Sequence, residues 1–431
     1  MTKVLILTVD AWNTDIGATS AYTYSTLFSS METMELSNIY LREELPNDPC
    51  CRRYFQISEQ RILRSLLHRH RPTGQEVFLT SEQADECSER MTAKKALYGK
   101  QKKHFYYAKK MIRELIWWIA PWKSKELDRF LEEIRPDVVV YAMEGYLHFN
   151  RLCRYVVQKT KASSIGYFWD DNFTYRQRPH NAGYKMFRFF QRKSLIRLAK
   201  NTSAFWAISP KTKEEADRFF GIDCEVLPKP TERELNGGAS EGRSHSLPLR
   251  LFYAGNLAIG RMDSIRMVAE VLREINAEAE KLVFDVYSPT PIPEDLRSFG
   301  FGVRFHSPLP QAEILQLQND ADVLLFVEDV VGSERKVARL SFSTKIPDYL
   351  GAGKCILAIG DFDTAPMAYF LSEEIALCAQ TRAQVKAQLE TLLNDTSLLD
   401  DYGTKAYACA CKNHSKKTIQ QKIEATIARL M

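Results

Sequence analysis

The sequence predicts an α/β protein with two doubly wound parallel-sheet domains, and three observations support this prediction. The length of 431 residues suits two domains of ordinary size. In both halves, short apolar runs alternate with longer amphipathic segments, as they do in βα units. Between the halves, residues 228–248 are rich in Pro, Gly, Ser and charged residues and lack apolar periodicity, which is typical of a linker.

The first half contains four predicted strands. The strongest follows Pro136 and Asp137, because turn residues there precede a continuous run of valines. One helix begins at about Thr19, and another begins at Ser209-Pro210 and ends at Gly221. The strands lie within residues 3–9, 135–143, 163–171 and the first part of 203–221.

The same alternation starts again after the linker. A helix that ends near Ala279 follows the first strand of this half, and the tail from about residue 382 to 431 is predicted to be helical. Strands separated by helices predict a parallel sheet. The strands are predicted within residues 249–255, 282–288, 302–307, 321–328 and 355–361.

Composition and charge limit the classes of function. Hydrophobic residues make up 45% of the chain and charged residues 26%, as in an ordinary globular protein, and a net charge of +5 is too small to indicate nucleic acid. The nine cysteines show no CxxC pair and no paired spacing with histidine, so we expect reduced thiols in a cytoplasmic protein. The first apolar run is shorter than a signal peptide requires, and no run approaches the ~20 residues of a membrane span.

Two segments of the second half indicate phosphate binding. The GxGxxG fingerprint is absent, but in YAGNLAIGR (253–261) Gly255 ends a strand, Asn256 follows, and Arg261 opens a helix. Backbone N–H groups at a helix N-terminus bind phosphate, and an arginine there adds a bidentate contact. The alternative is a tight βα turn with a surface arginine.

The second segment is STKIPDYLGAGKCILA (343–358). Ser343, Thr344 and Lys345 stand at a predicted helix start, where the helix dipole favours an anion. Asp348 lies one turn further on the same face and would suit ribose hydroxyls. This pattern fits a nucleoside diphosphate, whereas the alternative is a capped helix with an i,i+3 salt bridge and a C-terminal glycine.

These segments resemble bacterial glycosyltransferases of the GT-B fold, especially those of family 4. Residues 343–358 resemble the donor-site segment of that family, and FYAGNLAIGR (252–261) resembles the glycine-rich first turn of its C-terminal domain. AISPKTKEEADRFFG (207–221) with VLPKP (226–230) resembles the end of the N-terminal domain, and ADVLLFV (321–327) resembles the strand before the donor segment. The order and spacing of these motifs agree with the family over about residues 130–431. In the first 130 residues, the opening strand and the Gly17 loop resemble the family.

The resemblance implies two Rossmann-like domains that face each other across a cleft. The first would be an acceptor-binding domain (1–230) and the second a nucleotide-sugar-binding domain (249–412), joined by a linker (231–248). A C-terminal helix (413–431) would pack back on the first domain. The implied donor contacts are Arg261, Lys345, Ser343, Thr344, Gly255 and Asn256 for the diphosphate, Asp348 for the ribose, and the vicinity of Phe305, His306 and Ser307 for the base.

The implied reaction transfers a sugar from a nucleoside diphosphate to a hydroxyl of a saccharide or lipid-linked saccharide, with retention. Arg261, Lys345 and helix N-termini would stabilise the leaving diphosphate, so we expect neither a metal nor another cofactor. The stretch WDDN (169–172) is also not the Asp-x-Asp of metal-dependent transferases. Asn13 and Gly17 belong to a loop that would contact the sugar or the acceptor.

Two alternatives stay open. Leu340 stands where the family often has an acid, and Asp348 replaces a longer glutamate, which is compatible with a non-catalytic sugar-nucleotide-binding partner of a transferase. A sugar-nucleotide epimerase of the same fold would need no acceptor.

Three acids of the first half are candidates for catalysis. Asp170 and Asp171 end one predicted strand, and Glu144 ends the strand before it. Ligands of open α/β sheets bind at the carboxyl ends of strands, so one of these acids could accept the proton of the acceptor hydroxyl. The alternative for the aspartates is a pair that caps a turn.

Residues 94–123 combine basic and aromatic side chains, which fits a helix on an anionic membrane at the inner face. The alternative is a helix packed on the first domain with a solvated basic face. Nucleic acid is not expected, because no RNA-binding signature accompanies the segment. The residues concerned are Lys94, Lys95, Lys100, Lys102, Lys103, Lys109, Lys110, Arg113 and Lys123, with Phe105, Tyr106, Tyr107, Ile116, Trp117, Trp118, Ile119 and Trp122.

Overall fold

The computed structural model describes residues 1–13, 20–29, 31–67, 72–78, 106–177, 182–235, 245–332 and 336–431. The first sheet has the order β4-β3-β2-β1-β5-β6-β7-β8, and every neighbouring pair is parallel except β3 and β4. Its strands are β1 (Thr2–Thr8), β2 (Met34–Tyr40), β3 (Cys51–Gln56), β4 (Gln75–Val77), β5 (Val138–Ala142), β6 (Ser163–Phe168), β7 (Ala204–Ala207) and β8 (Cys224–Val226).

Helices cover both faces of this sheet. One face carries most of them, and their apolar side chains form a buried cluster with the strands. The helices of the first domain are α1 (Ser20–Phe28), α2 (Glu59–Leu67), α3 (Tyr106–Ile119), α4 (Lys125–Ile134), α5 (Leu147–Thr160), α6 (Ala182–Ala199) and α7 (Pro210–Phe220). None of the helices that the structure describes combines the length and the apolar composition needed to cross a bilayer.

The second sheet is entirely parallel, with the order β11-β10-β9-β12-β13-β14. Its strands are β9 (Leu249–Ala254), β10 (Leu282–Tyr287), β11 (Val303–His306), β12 (Val323–Val327), β13 (Cys355–Ile359) and β14 (Leu377–Ala379). Its helices are α8 (Arg261–Ile275), α9 (Glu294–Arg297), α10 (Gln311–Asp320), α11 (Ile346–Gly351), α12 (Ala365–Glu373), α13 (Arg382–Asn394) and α14 (Ser397–Asn413).

Local sequence explains where α7 begins and ends. The Ser209 hydroxyl accepts a hydrogen bond from the Thr212 N–H at 3.2 Å, and Pro210 occupies the first helical position. Gly221 closes the helix in the left-handed conformation, with φ +68°. The helix therefore starts and stops at residues that favour these geometries.

The chain ends in a helix, α15 (Lys416–Leu430), that lies against the first sheet. The Trp206 indole N–H donates to the Thr426 hydroxyl at 3.2 Å, and the Lys422 ammonium donates to the Val226 carbonyl at 3.2 Å. His414, at the turn before α15, bonds through its two ring nitrogens to the Lys229 carbonyl and the Tyr369 hydroxyl, both at 2.9 Å. The C-terminal turn thus contacts both domains.

The prediction of two doubly wound parallel sheets is confirmed. The strands β2, β3, β4, β8 and β14 were not predicted from the sequence. The observed β1 has the predicted length of seven residues, and the other strands predicted with both ends are one to four residues shorter. Several predicted ends, among them Asp171 and Glu328, lie in the loops that follow the strands.

Candidate active site

Each sheet has one point where the strand order reverses, and ligands of such sheets bind outside the carboxyl ends of the strands there. In the second sheet this point lies between β9 and β12, which pair directly. Gly255 follows β9 and Glu328 follows β12. In the first sheet the reversal lies between β1 and β5, which Asp10 and Glu144 follow.

The turn after β9 makes room for a lysine from a distant segment. Gly255 has φ +148°, and a Cβ added to it would lie 1.9 Å from the Nζ of Lys345. The Gly255 N–H donates to the Tyr287 carbonyl at 2.9 Å, which fixes the turn against β10. The glycine therefore serves the close approach of the Lys345 ammonium to the backbone.

Lys345 and Arg261 converge at this turn. The Lys345 Nζ lies 4.4 Å from the centre of the Tyr253 ring and 3.5 Å from its hydroxyl. Burial, followed by the positive charge of Arg261, lowers the pKa of Lys345 to about 7. Neither cation forms an ion pair with any residue that the structure describes. Two neighbouring cations beside a helix N-terminus, neither of them in an ion pair with a described residue, favour an anion, although Glu328 lies near Arg261 and Asp329 lies against Gly260.

The other predicted phosphate contacts border the same turn. The Asn256 side-chain oxygen accepts a hydrogen bond from the Ala258 N–H at 2.6 Å, so this side chain shapes the turn. Ser343 and Thr344 directly precede Lys345 and are partly exposed, and the Ser343 carbonyl accepts from the Ile346 N–H at 3.2 Å. Their hydroxyl contacts with a phosphate remain a prediction.

Asp348 anchors α11 to the linker. One carboxylate oxygen accepts hydrogen bonds from the Thr231 hydroxyl and the Glu232 N–H, both at 2.9 Å. The side chain is 6% exposed, and burial raises its pKa. The sequence did not predict this structural contact, and the ribose contact remains a prediction for the second oxygen.

We expect Asp348→Ala to lower the free energy of unfolding by about 2–3 kcal/mol, because it leaves a buried hydroxyl and a buried N–H without their acceptor. Asp348→Asn keeps an acceptor oxygen and should lose much less stability. Urea denaturation of both variants measures the difference. Equal losses in the two variants would contradict the anchoring role and assign the effect to charge.

Glu328 is a site residue that the sequence analysis missed. It follows β12, and its Oε2 is buried without a hydrogen-bond partner among the described atoms. Burial raises its pKa to about 7, although the nearby Arg261 opposes this shift. Glu328 could have been identified from its position at the end of the apolar run ADVLLFVE. That run forms β12, beside the point where the strand order reverses.

The segment predicted to lie near the nucleobase follows the edge of the second sheet. His306 stacks on Tyr287 with ring centres 4.4 Å apart, and its Nε2 lies 2.7 Å from the Asp285 carboxylate. Phe305 packs against the second-domain core, and Ser307 is exposed. The Tyr287 carbonyl also accepts the hydrogen bond from the Gly255 N–H, so the stacked pair of Tyr287 and His306 lies beside the turn after β9.

The acids of the first domain gather at the carboxyl ends of β1, β5 and β6. Burial, followed by the negative charges of Asp170 and Asp10, raises the pKa of Glu144 to about 8. Asp170 accepts a hydrogen bond from the Ser341 hydroxyl of the second domain, and burial raises the pKa of Asp170 as well. Ser341 lies four residues before Lys345, so Asp170 contacts the segment that leads to the cationic turn.

Asp171 requires a correction. It is completely buried, one carboxylate oxygen accepts from the Thr174 N–H at 2.8 Å, and the other accepts from the Thr174 hydroxyl. Its carbonyl accepts from Arg188 at 3.1 Å. Asp171 therefore caps the turn after β6 and does not reach the cleft, whereas Asp170 and Glu144 remain catalytic candidates.

The segment before Lys345 is held by the first domain. The Gln177 side chain donates to the Val337 carbonyl at 2.8 Å, and the Thr212 hydroxyl donates to the Leu340 carbonyl at 3.0 Å. Leu340 itself is completely buried within the first-domain core. Where the resembling family often has an acid, this chain thus has an apolar contact that joins the domains.

The acceptor loop is described only in part. The Asn13 side chain donates to the Leu45 carbonyl at 3.0 Å, beside the completely buried Trp12. Gly17 lies outside the described residues.

We expect Gly255→Ala to weaken the binding of nucleoside diphosphates by roughly tenfold or more, because the new Cβ displaces the Lys345 ammonium. The positive φ adds about 1–3 kcal/mol of strain. Gly221→Ala is a matched control, since its φ is +68° and a Cβ there meets nothing within 4 Å. Thermal melting with and without nucleotide measures both. An unchanged nucleotide shift in Gly255→Ala would contradict the placement of Lys345.

Comparison with solved structures shows the fold to which this arrangement belongs. The chain is similar over its whole length to sucrose-phosphate synthase from Thermosynechococcus elongatus, with TM-score 0.59, 10% identity and 99% of that chain covered. It is similar to α,α-trehalose-6-phosphate synthase from Burkholderia multivorans, with TM-score 0.60, 9% identity and coverage of 100% of this chain and 99% of that one.

A third similar structure is Anabaena HepE in complex with UDP-glucose, with TM-score 0.58, 13% identity and both chains covered completely. No family model matches the chain, and no curated protein sequence matches it. The chain therefore has the GT-B fold, which confirms the fold prediction, while these neighbours do not single out the family-4 resemblance.

Proposed function

We propose that the protein is a glycosyltransferase that moves a sugar from a nucleoside diphosphate to a hydroxyl of a saccharide or lipid-linked saccharide. The observation that carries this proposal is the convergence of Arg261 and Lys345, without an acid partner among the described residues, where the strand order of the second sheet reverses. Bound UDP-sugars in the similar HepE and Escherichia coli trehalose-6-phosphate structures support a nucleotide-sugar donor.

In the proposed reaction, residues of the second domain stabilise the leaving group and residues of the first domain accept the proton. Arg261, Lys345 and the N-terminus of α8 oppose the charge that develops on the leaving diphosphate, so the reaction requires no metal or other cofactor. Glu144 or Asp170 receives the proton of the acceptor hydroxyl. Retention of configuration is supported by the family resemblance and by a similar trehalose-6-phosphate synthase that transfers with retention.

A second candidate function is a non-catalytic sugar-nucleotide-binding partner. The burial of Leu340 in the first-domain core favours it, because no acid stands there to orient the donor sugar. An epimerase would convert the sugar nucleotide without any acceptor.

The protein acts at the cytoplasmic face of a membrane, where polysaccharides or glycolipids are built on lipid-linked acceptors. The described part of the basic and aromatic segment supports this: Ile112, Leu115, Trp118 and Ile119 are 58%, 53%, 67% and 59% exposed on α3. Trp117 and Trp122 are buried, as the alternative of a packed helix implies, and of the three tryptophans in this segment only Trp118 is exposed. Residues 94–105 lie outside the described residues.

The first test is thermal melting against a panel of nucleoside diphosphates and sugar nucleotides. A ligand at 100 times its dissociation constant adds about 2.7 kcal/mol of stability. The sugar nucleotide that gives the largest shift is then incubated alone and with candidate acceptors. Transfer only with an acceptor supports the glycosyltransferase, conversion without acceptor supports the epimerase, and binding without turnover supports the partner. No shift for any nucleotide contradicts all three.

The membrane proposal is tested by flotation with phosphatidylcholine vesicles that contain or lack phosphatidylglycerol. Trp118→Ala with Ile119→Ala should reduce binding, because both side chains enter the interface. Leu371→Ala, an exposed leucine of the second domain, is the control. Equal recovery of the wild type with both vesicle types would contradict an anionic membrane partner.

A further inference from the structure

Three arginines on the outer helices of the first domain have no carboxylate partner among the described residues. Arg151 and Arg154 lie one turn apart on α5, and Arg197 lies on α6, which packs against α5. The positive charge of Arg197 acts on Arg154, and that of Arg154 acts on Arg151. The three guanidinium groups therefore form one cluster of like charge.

This cluster is partly desolvated. The Nε of Arg154 is buried and has no hydrogen-bond partner among the described atoms. Burial, followed by the neighbouring arginine, lowers the pKa of both Arg151 and Arg154. Among the described residues, the acid whose charge acts on Arg151 is Glu114, and its carboxylate already accepts hydrogen bonds from the Leu147 and His148 N–H groups at 3.0 and 2.8 Å. An anion bound here would relieve this repulsion.

Apolar side chains are exposed on the two helices, α3 and α6, that pack against α5. The Arg151 guanidinium lies 5.8 Å from the ring centre of Trp122, just after α3, and the charge of Arg197 on α6 acts on Arg154. On α3 the exposed side chains are Leu115, Trp118 and Ile119, and on α6 they are Met186, Phe189, Phe190 and Ile196. Charged groups beside two apolar stripes match the headgroup and acyl regions of a bilayer.

We propose that Arg151, Arg154 and Arg197 bind the phosphate of anionic phospholipid headgroups, while the exposed stripes of α3 and α6 enter the acyl boundary. Guanidinium groups suit phosphate because their N–H donors bind it in pairs. The inference rests on the proposed membrane association and adds a defined headgroup site to it.

The test is flotation of the full chain with phosphatidylcholine vesicles with and without phosphatidylglycerol. Replacement of the three arginines (R151Q, R154Q and R197Q) should weaken binding to anionic vesicles about a hundredfold, at roughly a few-fold to tenfold per charge. A charge-matched control carries R304Q, K405Q and K412Q on the exposed surface of the second domain and should bind as the wild type does. Circular dichroism checks folding, and R197Q alone, an exposed position, replaces the triple variant if that variant does not fold.

Equal binding of the arginine variant and the wild type to anionic vesicles would overturn the site. Titration with inorganic phosphate is the second arm, and tight binding of free phosphate without a preference for anionic vesicles would assign the cluster to a soluble ligand instead. Nucleotide melting is measured without vesicles. A lost nucleotide shift with intact vesicle binding therefore counts against the donor site alone, and the reverse counts against the headgroup site alone.

Discussion

Lys345→Met is expected to lower kcat/KM for transfer about a thousandfold and to abolish the thermal shift given by nucleoside diphosphates. The variant removes one of the two cations at the turn after β9 but keeps a side chain of similar shape. Charge-stabilising groups of this kind typically contribute a factor of 10² to 10³ to the rate, and ground-state binding of the diphosphate is lost in addition. Lys405→Met, an exposed lysine of α14, is the control for a change in net charge.

The same variant should change how stability depends on pH. The pKa of Lys345 is about 7 in the folded protein against 10.5 for an unperturbed lysine. Between these values the unfolded chain binds a proton that the folded chain has released, so the free energy of unfolding rises with pH by up to about 1.4 kcal/mol per unit. This contribution disappears in Lys345→Met, and urea denaturation from pH 7 to pH 10 measures it.

A bound diphosphate favours the charged ammonium, so donor binding takes up a proton above pH 7. Donor affinity of the wild type should therefore fall by about tenfold per pH unit above pH 7, until the pKa of Lys345 in the complex is reached. Calorimetric titration in buffers of different ionisation enthalpy detects this proton. A wild-type affinity that is independent of pH from 7 to 9, together with an unaltered Lys345→Met variant, would remove Lys345 from the donor site.

The parts of the fold that the sequence predicted are those whose apolar pattern is continuous. All five residues of β5 and of β12 are buried, and such runs are recognisable as strands. The sequence analysis missed β2 because Ser37 and Asn38 interrupt its apolar pattern, although both residues are buried. The Asn38 amide donates to the Ile6 carbonyl at 2.9 Å and to the Thr8 hydroxyl at 3.1 Å, contacts that only the neighbouring strand supplies.

Adjacent residues of one type proved hardest to separate. Trp117 and Trp118 are neighbours on α3, yet one is 1% and the other 67% exposed, because successive helical residues point about 100° apart. Asp170 and Asp171 diverge in the same way after β6, one towards the cleft and one into the turn. Composition shows that such residues are present, but only the packing of the helix or turn decides which of them reaches the surface.

The donor side of the site was easier to predict than the acid that faces it. Lys345 and Arg261 stand at helix starts, where their local context already indicates an anion. The pair formed by Glu144 and Asp10 depends instead on the order of the strands, which places β1 beside β5 although their sequences are far apart. Glu328 likewise lies beside the turn after β9 because β12, which Glu328 follows, pairs with β9.

Glu144→Gln is expected to lower kcat by about 10² to 10⁴, because a positioned base contributes a factor of this size. Donor binding should stay unchanged, because Glu144 belongs to the first domain whereas Lys345 and Arg261 belong to the second. Asp170→Asn is the companion variant, since Asp170 raises the pKa of Glu144 and bonds to Ser341. A large loss in Asp170→Asn with normal turnover in Glu144→Gln would transfer the role to Asp170. Normal turnover in both variants would show that neither carboxylate is the general base.

The pH dependence provides an independent check on Glu144. Its pKa is about 8 in the folded protein against 4.5 for an unperturbed glutamate, so the folded chain retains a proton between these values and stability falls as pH rises through them. Glu144→Gln should remove this fall and be more stable than the wild type above pH 8. As a base, Glu144 must be ionised, whereas donor binding needs a protonated Lys345. Since the pKa values are about 8 and about 7, kcat/KM should follow a bell centred near pH 7.5, and Glu144→Gln should lose its acidic limb.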